Sequence, residues 1–591
     1  MPSTARDTLT YHLDRSASNA PDEAAFTFVD FSTDKDGTAH KLTWRQLEHR
    51  VRVAAAGIRR AGAVGERVAI VAPQSLDYVI GFLAAACAGA IAVPLYPPVL
   101  RSHGDKLAAS LADADPLLAI STREQRASVA DFCAERRVGS GMRVTTLEDL
   151  RTPDTEGPPE LVPVDPADCA YLQYTSGSTR VPSGVEITHA NVVANARQAM
   201  EAYDIRRGRD CTVGWLPLYH DMGLLLTIAV PVVAGVPSVL MDPLAFVQRP
   251  ARWLQLLTRH SGAHTAAPDF AYDYCVQRVT DEERAALSLE SVATMVNGSE
   301  PIRARTLTRF QSAFASCGMR RTTMRPSYGL AEATVFVAAS LQAEEPTVTC
   351  FDRDMLAQGT ARVAEPTDGE PVSELVACGR PTNQEVAVVD PATRRRQEDG
   401  TVAEIWVKGP NVGRGYWRRP QESQATFHAV LEGDDPQDPS RHWLRTGDLG
   451  MWFDKQLYIT GRDKDLVIVD GTNHYPHDIE GTVQDAHPAV RRHHVAAFAV
   501  DTENGERLVV VAEHVRQVPD LERVRDEVKR AVRGAVAEAH AIAVQDFVLV
   551  EPDSIPYTTS GKVSRTACRE SYLAGRWSKP KHALQKGNDG A

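Results

Sequence analysis

The sequence predicts an α/β protein built from more than one domain, and three observations support that class. Short apolar stretches suited to buried strands alternate with helical patterns through the first 120 residues, which indicates parallel sheets covered by helices. The chain has 591 residues, more than a single hydrophobic core normally holds. Its composition is globular, with 43% hydrophobic and 24% charged residues.

The alternation can be followed element by element. An amphipathic helix is predicted over residues 42–60, with Thr43 as its opening residue. Strands are then predicted over residues 68–72, 92–95 and 117–120, with helices over residues 78–90 and 107–113 between them. Because helices separate successive strands, these strands should lie parallel in one sheet.

The longest apolar run covers residues 224–241 and approaches the length of a membrane span. Pro231 and Gly235 interrupt it. A buried helix ending near Ala234, followed by a strand over residues 238–241, is therefore the better interpretation. No transmembrane segment is expected.

Charge and cysteine content restrict the function class. The net charge of −12 argues against general nucleic-acid binding. The nine cysteines contain no C-x-x-C pair, so neither a disulfide framework nor a zinc site is indicated. The N-terminus lacks a basic segment followed by an apolar core, and a cytoplasmic location is expected.

A loop rich in glycine and hydroxyl groups follows a strand-like stretch over residues 169–173 and precedes a helix predicted to start at Thr188. Such a loop presents backbone N–H groups and hydroxyls to phosphate oxygens. It is not a Walker P-loop, because no Gly-Lys-Ser/Thr follows at the required spacing. An ordinary surface turn is the alternative. The loop residues are Thr175, Ser176, Gly177, Ser178, Thr179 and Arg180.

A polar pair stands at the mouth of the apolar run, in the stretch His220, Asp221, Met222 and Gly223. An amphiphilic ligand needs an apolar channel with a polar end. The apolar run could supply the channel, and His220 and Asp221 could supply its polar end. The alternative is a helix N-terminus in which Asp221 stabilises the helix dipole without any chemistry. The two interpretations are compatible.

Two turns further along each place polar groups beside glycine. The first contains Asn297, Gly298, Ser299 and Glu300, and the second contains Tyr328, Gly329 and Glu332. A nucleoside triphosphate site needs a flat surface for the base, which Tyr328 could supply. It also needs a carboxylate to hold Mg²⁺ against the phosphates, which Glu332 could supply.

The last part of the chain adds four candidate residues. Asp448 could accept hydrogen bonds from two vicinal ribose hydroxyls. Arg462 and Lys464 lie in a charged stretch after Gly461, which suits a hinge or a solvated turn equally well. Lys562 is the one lysine of a glycine-rich loop over residues 558–563.

These stretches, in this order, resemble the adenylate-forming superfamily of acyl-CoA synthetases, luciferases and peptide-synthetase adenylation domains. The resemblance covers nearly the whole chain and is strongest to the fatty acyl-AMP ligases of actinobacteria. Three features carry it: the phosphate loop with Arg180, Pro182 and Gly184, the Trp-Leu-Pro-x-x-His220-Asp221-Met-Gly-Leu motif, and the Asn-His-Tyr-Pro-His-Asp-Ile-Glu motif over residues 473–480.

The resemblance implies a fold and a domain division. It implies a large N-terminal domain, residues 1–461, with two doubly wound α/β subdomains and a distorted β-barrel near residues 375–460. A small mobile α+β C-terminal domain, residues 462–591, should follow. An insertion over residues 341–375, with Phe351, Met355 and Leu356, matches one that the acyl-AMP ligases carry and the CoA synthetases lack. A surface loop without function is the alternative.

The resemblance also implies a role for each candidate. Thr175 to Thr179 should wrap the ATP β- and γ-phosphates, and Glu332 with Thr175 should hold Mg²⁺. The adenine should lie against Tyr328 with Gly329 and against the turn of Asn297, Gly298, Ser299 and Glu300, and the ribose against Asp448 and Arg462. His220, Glu332 and Lys562 should serve catalysis, with the acyl substrate along His220, Asp221, Met222 and Gly223 and the hinge at Lys464. The pattern departs at Ser183, where most relatives have lysine, and Arg180 is the candidate replacement cation.

The implied reaction joins ATP and a medium- to long-chain fatty acid into an acyl-AMP, with release of pyrophosphate. The acyl group would then pass to the phosphopantetheine thiol of an acyl carrier protein of a polyketide synthase or peptide synthetase. Two alternatives remain at this point: a long-chain fatty acyl-CoA synthetase, and a non-catalytic acyl- or nucleotide-binding relative.

Overall fold

Two large sheets and a small C-terminal domain organise the structure, a computed structural model. It describes residues 7–98, 104–151, 163–174, 182–365, 372–469, 472–502, 505–558 and 562–577. The strands are β1 Ala24–Asp30, β2 Thr38–Thr43, β3 Arg67–Val71, β4 Ile91–Leu95, β5 Leu118–Ser121, β6 Arg143–Thr146, β7 Cys169–Tyr174, β8 Gly184–Thr188, β9 Cys211–Gly214, β10 Ser238–Met241, β11 Ala263–Ala267, β12 Thr294–Asn297, β13 Met324–Gly329, β14 Phe336–Ala339, β15 Val348–Asp352, β16 Val372–Val376, β17 Arg380–Pro381, β18 Glu385–Asp390, β19 Arg395–Arg396, β20 Ala403–Lys408, β21 Leu444–Phe453, β22 Gln456–Arg462, β23 Val467–Val469, β24 Thr472–His474, β25 Val490–Thr502, β26 Gly505–His514 and β27 Val544–Val550. The α-helices are α1 Leu9–Asn19, α2 Trp44–Arg60, α3 Leu76–Cys87, α4 Gly104–Ala114, α5 Arg126–Arg136, α6 His189–Tyr203, α7 Asp221–Leu224, α8 Val230–Ala234, α9 Pro243–Gln248, α10 Ala251–Arg259, α11 Asp269–Arg278, α12 Asp281–Ala285, α13 Ala304–Phe314, α14 Arg353–Ala357, α15 Pro420–Phe427, α16 Pro476–Ala486, α17 Leu521–His540 and α18 Arg565–Leu573.

The first large sheet has six strands in the order β6-β5-β3-β4-β7-β8. All neighbours are parallel except β7 and β8. The strands predicted from the apolar stretches are β3, β4 and β5, each buried along its whole length. A parallel strand is covered by helices on both faces, which explains why these stretches are continuously apolar.

The second large sheet has nine strands in the order β17-β14-β13-β12-β11-β9-β10-β1-β2. The six strands from β13 to β1 run parallel, and the strands at both edges are antiparallel. The two sheets share one large cluster of buried apolar side chains. The prediction of a doubly wound α/β protein is therefore confirmed.

Helix starts follow the local sequence. Thr43 caps α2 by accepting from the Gln46 backbone N–H at 3.2 Å, and the Gln46 side chain accepts from the Thr43 N–H. Thr188 and Asn191 make the same reciprocal pair at the start of α6. Each capping box satisfies N–H groups that would otherwise lack a partner. Both starts were predicted at the observed residue.

The long apolar run folds as a buried helical segment followed by a strand. After α7, residues Leu225–Ala229 form a π-helical turn, and α8 ends at Gly235, whose φ of 70° is left-handed. β10 follows. Among the described residues, no helix is long and apolar enough to cross a membrane.

The loop after β7 has a different neighbour from the one predicted. The strand β8 stands between it and α6, and β8 pairs antiparallel with β7. The loop therefore joins two strands of one sheet and does not lead directly into a helix. Its residues Thr175, Ser176, Gly177, Ser178, Thr179 and Arg180 lie outside the described residues.

Two smaller sheets follow the second large sheet, the first antiparallel throughout and the second mixed. A five-stranded sheet, β19-β18-β20-β21-β22, occupies the region where the sequence predicts a distorted barrel. The small domain has a three-stranded sheet, β25-β26-β27, against α16 and α17. Its apolar cluster, from Val467 to Leu549, is separate from that of the two large sheets.

The insertion over residues 341–375 is an ordered hairpin in its described part. β15 and β16 pair antiparallel, with α14 following β15. β16, Val372–Val376, therefore lies almost wholly inside the insertion. Phe351 and Leu356 are fully buried against Met451 and Tyr458, while Met355 is only partly buried.

Candidate active site

A cavity of about 1190 Å³ lies where the large sheets, the antiparallel sheet and the small domain meet. Its wall includes the carboxyl ends of β12 and β13, the start of α7 and the loop that carries Lys562. Carboxyl ends of parallel strands are the usual place for ligands in α/β proteins. The wall contains twelve of the candidate residues: His220, Asp221, Met222, Gly298, Ser299, Tyr328, Gly329, Glu332, Asp448, Arg462, Lys464 and Lys562.

His220 and Asp221 form the start of α7, as the second interpretation of this stretch predicts, and both side chains line the cavity. The His220 Nδ1 lies 2.7 Å from the Asp221 Oδ1, and the Met222 N–H donates to that Oδ1 at 2.6 Å. Burial raises the pKa of Asp221, but attraction to His220 and Lys562 and the hydrogen bonds outweigh it, so the pKa lies below its ordinary value. The pair therefore presents a fixed imidazole and a carboxylate to the cavity.

Gly223 does not line the cavity, which corrects its predicted place beside the substrate. A Cβ on Gly223 would lie 2.2 Å from the Pro217 carbonyl oxygen. The glycine thus allows the start of α7 to pack against the preceding turn. The residues of this segment that do reach the cavity are Met222, Leu225 and Leu226.

Asn297 is also absent from the cavity wall. It is 0% exposed, and its Nδ2 donates to Asp269 Oδ1 at 2.9 Å. Burial and repulsion from Glu300 raise the pKa of Asp269 to about 6. Asn297 therefore supports the turn from behind, while Gly298 and Ser299 form the surface.

The glycine after Tyr328 is required by a close backbone approach. A Cβ on Gly329 would lie 1.9 Å from the Val335 carbonyl oxygen, a distance that no side chain tolerates. In the neighbouring turn, Ser299 has a left-handed φ of 74°. One turn thus needs glycine for a close backbone approach, and the other holds a left-handed residue beside the cavity.

Glu332 sits in a short 3₁₀ turn, and the Tyr416 hydroxyl donates to its Oε1 at 2.9 Å. Burial raises the pKa of Glu332, and the Tyr416 hydrogen bond and attraction to Arg462 only partly oppose that shift. Sequence reasoning missed Tyr416, because nothing local connects two residues 84 positions apart. One oxygen of the Glu332 carboxylate thus accepts a hydrogen bond from Tyr416. A nearby cation would stabilise the charged form of this carboxylate.

Tyr328, Asp448 and Arg462 form one connected group. The Tyr328 hydroxyl donates to Asp448 Oδ2 at 2.7 Å, and Arg462 Nε lies 2.8 Å from Asp448 Oδ1. Asp448 and Arg462 are directly opposite each other on β21 and β22. The strand pairing therefore fixes the geometry of an acceptor and a donor side by side.

Lys562 reaches the cavity from the small domain. Burial lowers the pKa of its ammonium, and the carboxylates of Glu300 and Asp221 oppose that shift. No described carboxylate lies within ion-pair distance of its Nζ. Lys464, the predicted hinge residue, is exposed in a 3₁₀ turn directly after β22 and borders the cavity.

The insertion contacts the small domain as well as the large one. Arg353, the first residue of α14, donates to the Ala539 carbonyl in the last turn of α17 and to the Val372 carbonyl at 2.6 Å. Ser373 Oγ lies 3.4 Å from Asp478 Oδ2 on α16. The hairpin therefore bridges the antiparallel sheet and two helices of the small domain.

Comparison with known proteins identifies the family of the chain. A family model described as AMP-binding enzyme matches residues 13–417, and one described as Disco-interacting protein 2-like, AMP domain, matches residues 464–582. The solved structure "Structural and Functional Studies of Fatty Acyl-Adenylate Ligases from E. coli and L. pneumophila" superposes with a TM-score of 0.85 at 30% identity, covering 98% of this chain and 100% of that chain.

Two curated relatives match over nearly their whole length. The long-chain-fatty-acid–AMP ligase FadD26 of Mycobacterium marinum is 42% identical over 95% of this chain and 96% of its own. The 4-hydroxyphenylalkanoate adenylyltransferase of Mycobacterium tuberculosis is 41% identical over 96% of this chain and 92% of its own. With this identity over the full length, the chain belongs to the fatty acyl-AMP ligases, a group of the adenylate-forming AMP-binding enzymes.

Proposed function

We propose that the protein activates a medium- to long-chain fatty acid with ATP to an acyl-AMP and then passes the acyl group to the phosphopantetheine thiol of an acyl carrier protein. The observation that carries this proposal is one cavity whose wall combines apolar and charged side chains. Met222, Leu225 and Leu226 are among the apolar residues of the wall, and Glu332 and Lys562 are among the charged ones. Such a cavity suits an acid with a long apolar tail that meets a nucleotide.

The nucleotide would lie along the end formed by β13, β21 and β22. Tyr328 and Gly329, with the Gly298 and Ser299 turn, would flank the adenine. Asp448 and Arg462 are held 2.8 Å apart and would bind the ribose hydroxyls. The ATP phosphates would extend toward the loop of Thr175 to Arg180, whose role stays a prediction.

Glu332 fits the magnesium ion that the family implies. Burial raises the pKa of its carboxyl group, so a neighbouring cation would offset the cost of keeping it charged. Carboxylate oxygens are the ligands that Mg²⁺ prefers. When bound, the ion would neutralise charge on the ATP phosphates. Thr175, the second predicted ligand, lies outside the described residues.

In the adenylation step, a carboxylate oxygen of the acid attacks the α-phosphorus of ATP. A new O–P bond forms, the bond from the α-phosphorus to the bridging oxygen breaks, and pyrophosphate leaves with that electron pair. Negative charge grows on the α-phosphate oxygens, so a fixed cation lowers the barrier. Lys562 supplies that cation in this proposal, and His220 and Asp221 orient the carboxylate end of the acid.

The acyl-transfer step would need the small domain to turn about a hinge at Lys464, between domains covering residues 1–461 and 462–591. The separate apolar cluster of the small domain supports such a division. The insertion would hold the adenylating orientation, because it contacts both sides of the hinge. That contact would favour a large carrier protein of a polyketide synthase or peptide synthetase over free CoA as the acyl acceptor.

The test is product analysis by mass spectrometry with ATP, Mg²⁺ and a panel of acids, with and without CoA. The panel should include 4-hydroxyphenylalkanoic acids, since a relative of that name matches equally well. We expect acyl-AMP and pyrophosphate with fatty acids and little acyl-CoA. Efficient acyl-CoA formation would instead identify a CoA synthetase. The absence of acid-dependent exchange between pyrophosphate and ATP would identify a non-catalytic relative.

A further inference from the structure

A buried carboxylate of the large domain meets a histidine of the small domain. Asp273, on α11, is 3% exposed and lies 3.0 Å through its Oδ2 from the Nε2 of His493 on β25. Arg309 of α13 pairs with the other oxygen of Asp273. Burial raises the pKa of Asp273, but hydrogen bonds and attraction to His493 and Arg309 outweigh it and hold the pKa below its ordinary value. The carboxylate is thus charged and partnered across the domain boundary.

The backbone of His493 is held in an uncommon conformation. Its φ is 60°, in the left-handed region, and the pairing of β25 with β26 is irregular from Val490 to Val495. Its N–H donates to Gln484 Oε1 at 3.0 Å. A left-handed residue other than glycine persists only where its surroundings hold it, and such residues cluster at functional positions.

Arg303 of the large domain contacts the other edge of the His493 ring. The Arg303 Nη1 lies 3.5 Å from His493 Nδ1. A guanidinium can only donate hydrogen bonds and a carboxylate can only accept them, so Nδ1 faces a donor and Nε2 faces the acceptor Asp273. Two side chains of the large domain therefore hold opposite edges of one imidazole of the small domain.

The same histidine is connected to the turn that carries Lys562. The Tyr557 hydroxyl donates to the His493 carbonyl oxygen at 3.2 Å. Tyr557 also pairs with Val563, and Thr558 N–H donates to the Lys562 carbonyl at 2.7 Å. The position of Lys562 therefore depends on Tyr557 through the pairing with Val563. The position of Tyr557 depends in turn on its hydrogen bond to His493. His493, Tyr557 and Lys562 all border the cavity.

We propose that Asp273 and His493 are positioning residues that hold the Lys562 turn over the α-phosphate for the adenylation step. The inference rests on the proposed function, in which Lys562 is the cation for that step. The contact crosses the domain boundary, so it exists only in the orientation in which Lys562 lines the cavity. Losing it should release the turn while leaving the substrate surfaces of the large domain in place.

The main test is His493→Asn in the full-length protein, alone and combined with Lys562→Ala. Asparagine tolerates the left-handed backbone, but its shorter side chain does not reach Asp273. The control is His514→Asn, which removes an imidazole–carboxylate contact of 3.0 Å, to Glu551, inside the small domain. Acyl-AMP formation from ATP, Mg²⁺ and a fatty acid is measured in single turnover and in steady state.

We expect His493→Asn to lower kcat about tenfold, with KM for ATP and acid within about twofold of the wild type, and His514→Asn to leave kcat unchanged. Lys562→Ala should cost about 10²–10³, and adding His493→Asn should cost nothing more, because His493 acts only through Lys562. Asp273→Asn should reproduce the same kcat loss from the large-domain side, and it decides the question if His493→Asn does not fold.

Two results would overturn the inference while leaving the function intact. One is an active wild type with an unaffected His493→Asn. The other is a loss in the double variant equal to the product of the two single losses, since that would make His493 independent of Lys562. A wild type that forms no acyl-AMP would overturn the proposed function itself and this role with it.

Discussion

Replacing Arg353 with alanine should let the enzyme form acyl-CoA while leaving adenylation intact. Arg353 is the hydrogen-bonded link from the insertion to α17, through the carbonyl of Ala539. That carbonyl belongs to the last turn of the helix, where backbone acceptors lack helical partners and a cation is favoured. Alanine removes this link and leaves the buried side chains of Phe351 and Leu356 in place.

The expected size follows from the contacts that are lost. A hydrogen bond from a charged donor contributes roughly 1.5–3 kcal/mol when buried. Arg353 is only partly buried, so solvent reduces that contribution to about 1.5 kcal/mol. A difference of that size changes a two-state ratio about tenfold. The thiol-accepting orientation should therefore become about tenfold more populated.

The assay follows conversion of purified acyl-AMP to acyl-CoA by mass spectrometry, with pyrophosphate exchange as the measure of adenylation. The matched control is Arg362→Ala, which breaks the pair with Asp352 inside the insertion at a side chain that is 64% exposed. We expect about a tenfold gain in acyl-CoA for Arg353→Ala and none for Arg362→Ala. Normal adenylation by Arg353→Ala without any CoA thioester would mean that the insertion does not restrain the small domain. An equal gain in acyl-CoA formation for Arg362→Ala would mean the same.

Four further predictions concern single residues. Glu332→Gln should raise the Mg²⁺ concentration needed for adenylation, because an amide is a poorer ligand for a hard cation; an unchanged Mg²⁺ titration would contradict this. Gly223→Ala should destabilise the fold and lower the rate equally for short and long acids, because its Cβ would lie 2.2 Å from the Pro217 carbonyl oxygen. Leu226→Trp should instead lower the rate for long acids more than for short ones, because Leu226 lines the cavity. Rates measured across acids of different length would contradict both assignments if Gly223→Ala changed the length preference and Leu226→Trp did not. Asp269→Asn should remove part of the pH dependence of stability. In the wild type the folded-state pKa of Asp269 is about 6, above the ordinary 3.8, so the folded protein holds the proton more tightly than the unfolded chain. The free energy of unfolding of the wild type should therefore fall by up to roughly 3 kcal/mol as pH rises from about 4 to about 6. Urea unfolding across that range should show the fall in the wild type and not in the variant; parallel curves would mean that Asp269 is not the group responsible.

Local signals in the sequence predicted much of the fold. β3, β4 and β5 are continuously apolar, and α2 and α6 begin with side chains that cap them. Both features depend on residues a few positions apart, so they can be read without knowing the rest of the chain. β8 was missed because it is short and follows the glycine-rich loop directly.

The site was only partly predictable, for a physical reason. Motif residues such as Glu332 and Asp448 do border the cavity, but motif membership does not show which way a residue points. Gly223 and Asn297 face the interior instead, where close packing and a buried hydrogen bond require them. Partners such as Tyr416 and His493 come from distant parts of the chain, and their contacts arise only when domains pack together.

The π-helical turn Leu225–Ala229 contributes Leu225 and Leu226 to the cavity wall, so its geometry affects the shape of the cavity. A π turn accommodates one residue more than an α-helical turn over the same rise. Deleting a single residue from it would therefore restore a regular α-helical turn, while the side chains before and after the deletion keep their directions. One in-frame codon loss would move only the side chains of the turn itself, among them Leu225 and Leu226, which line the cavity. The shape of the cavity can thus change through local helix geometry as well as through side-chain size.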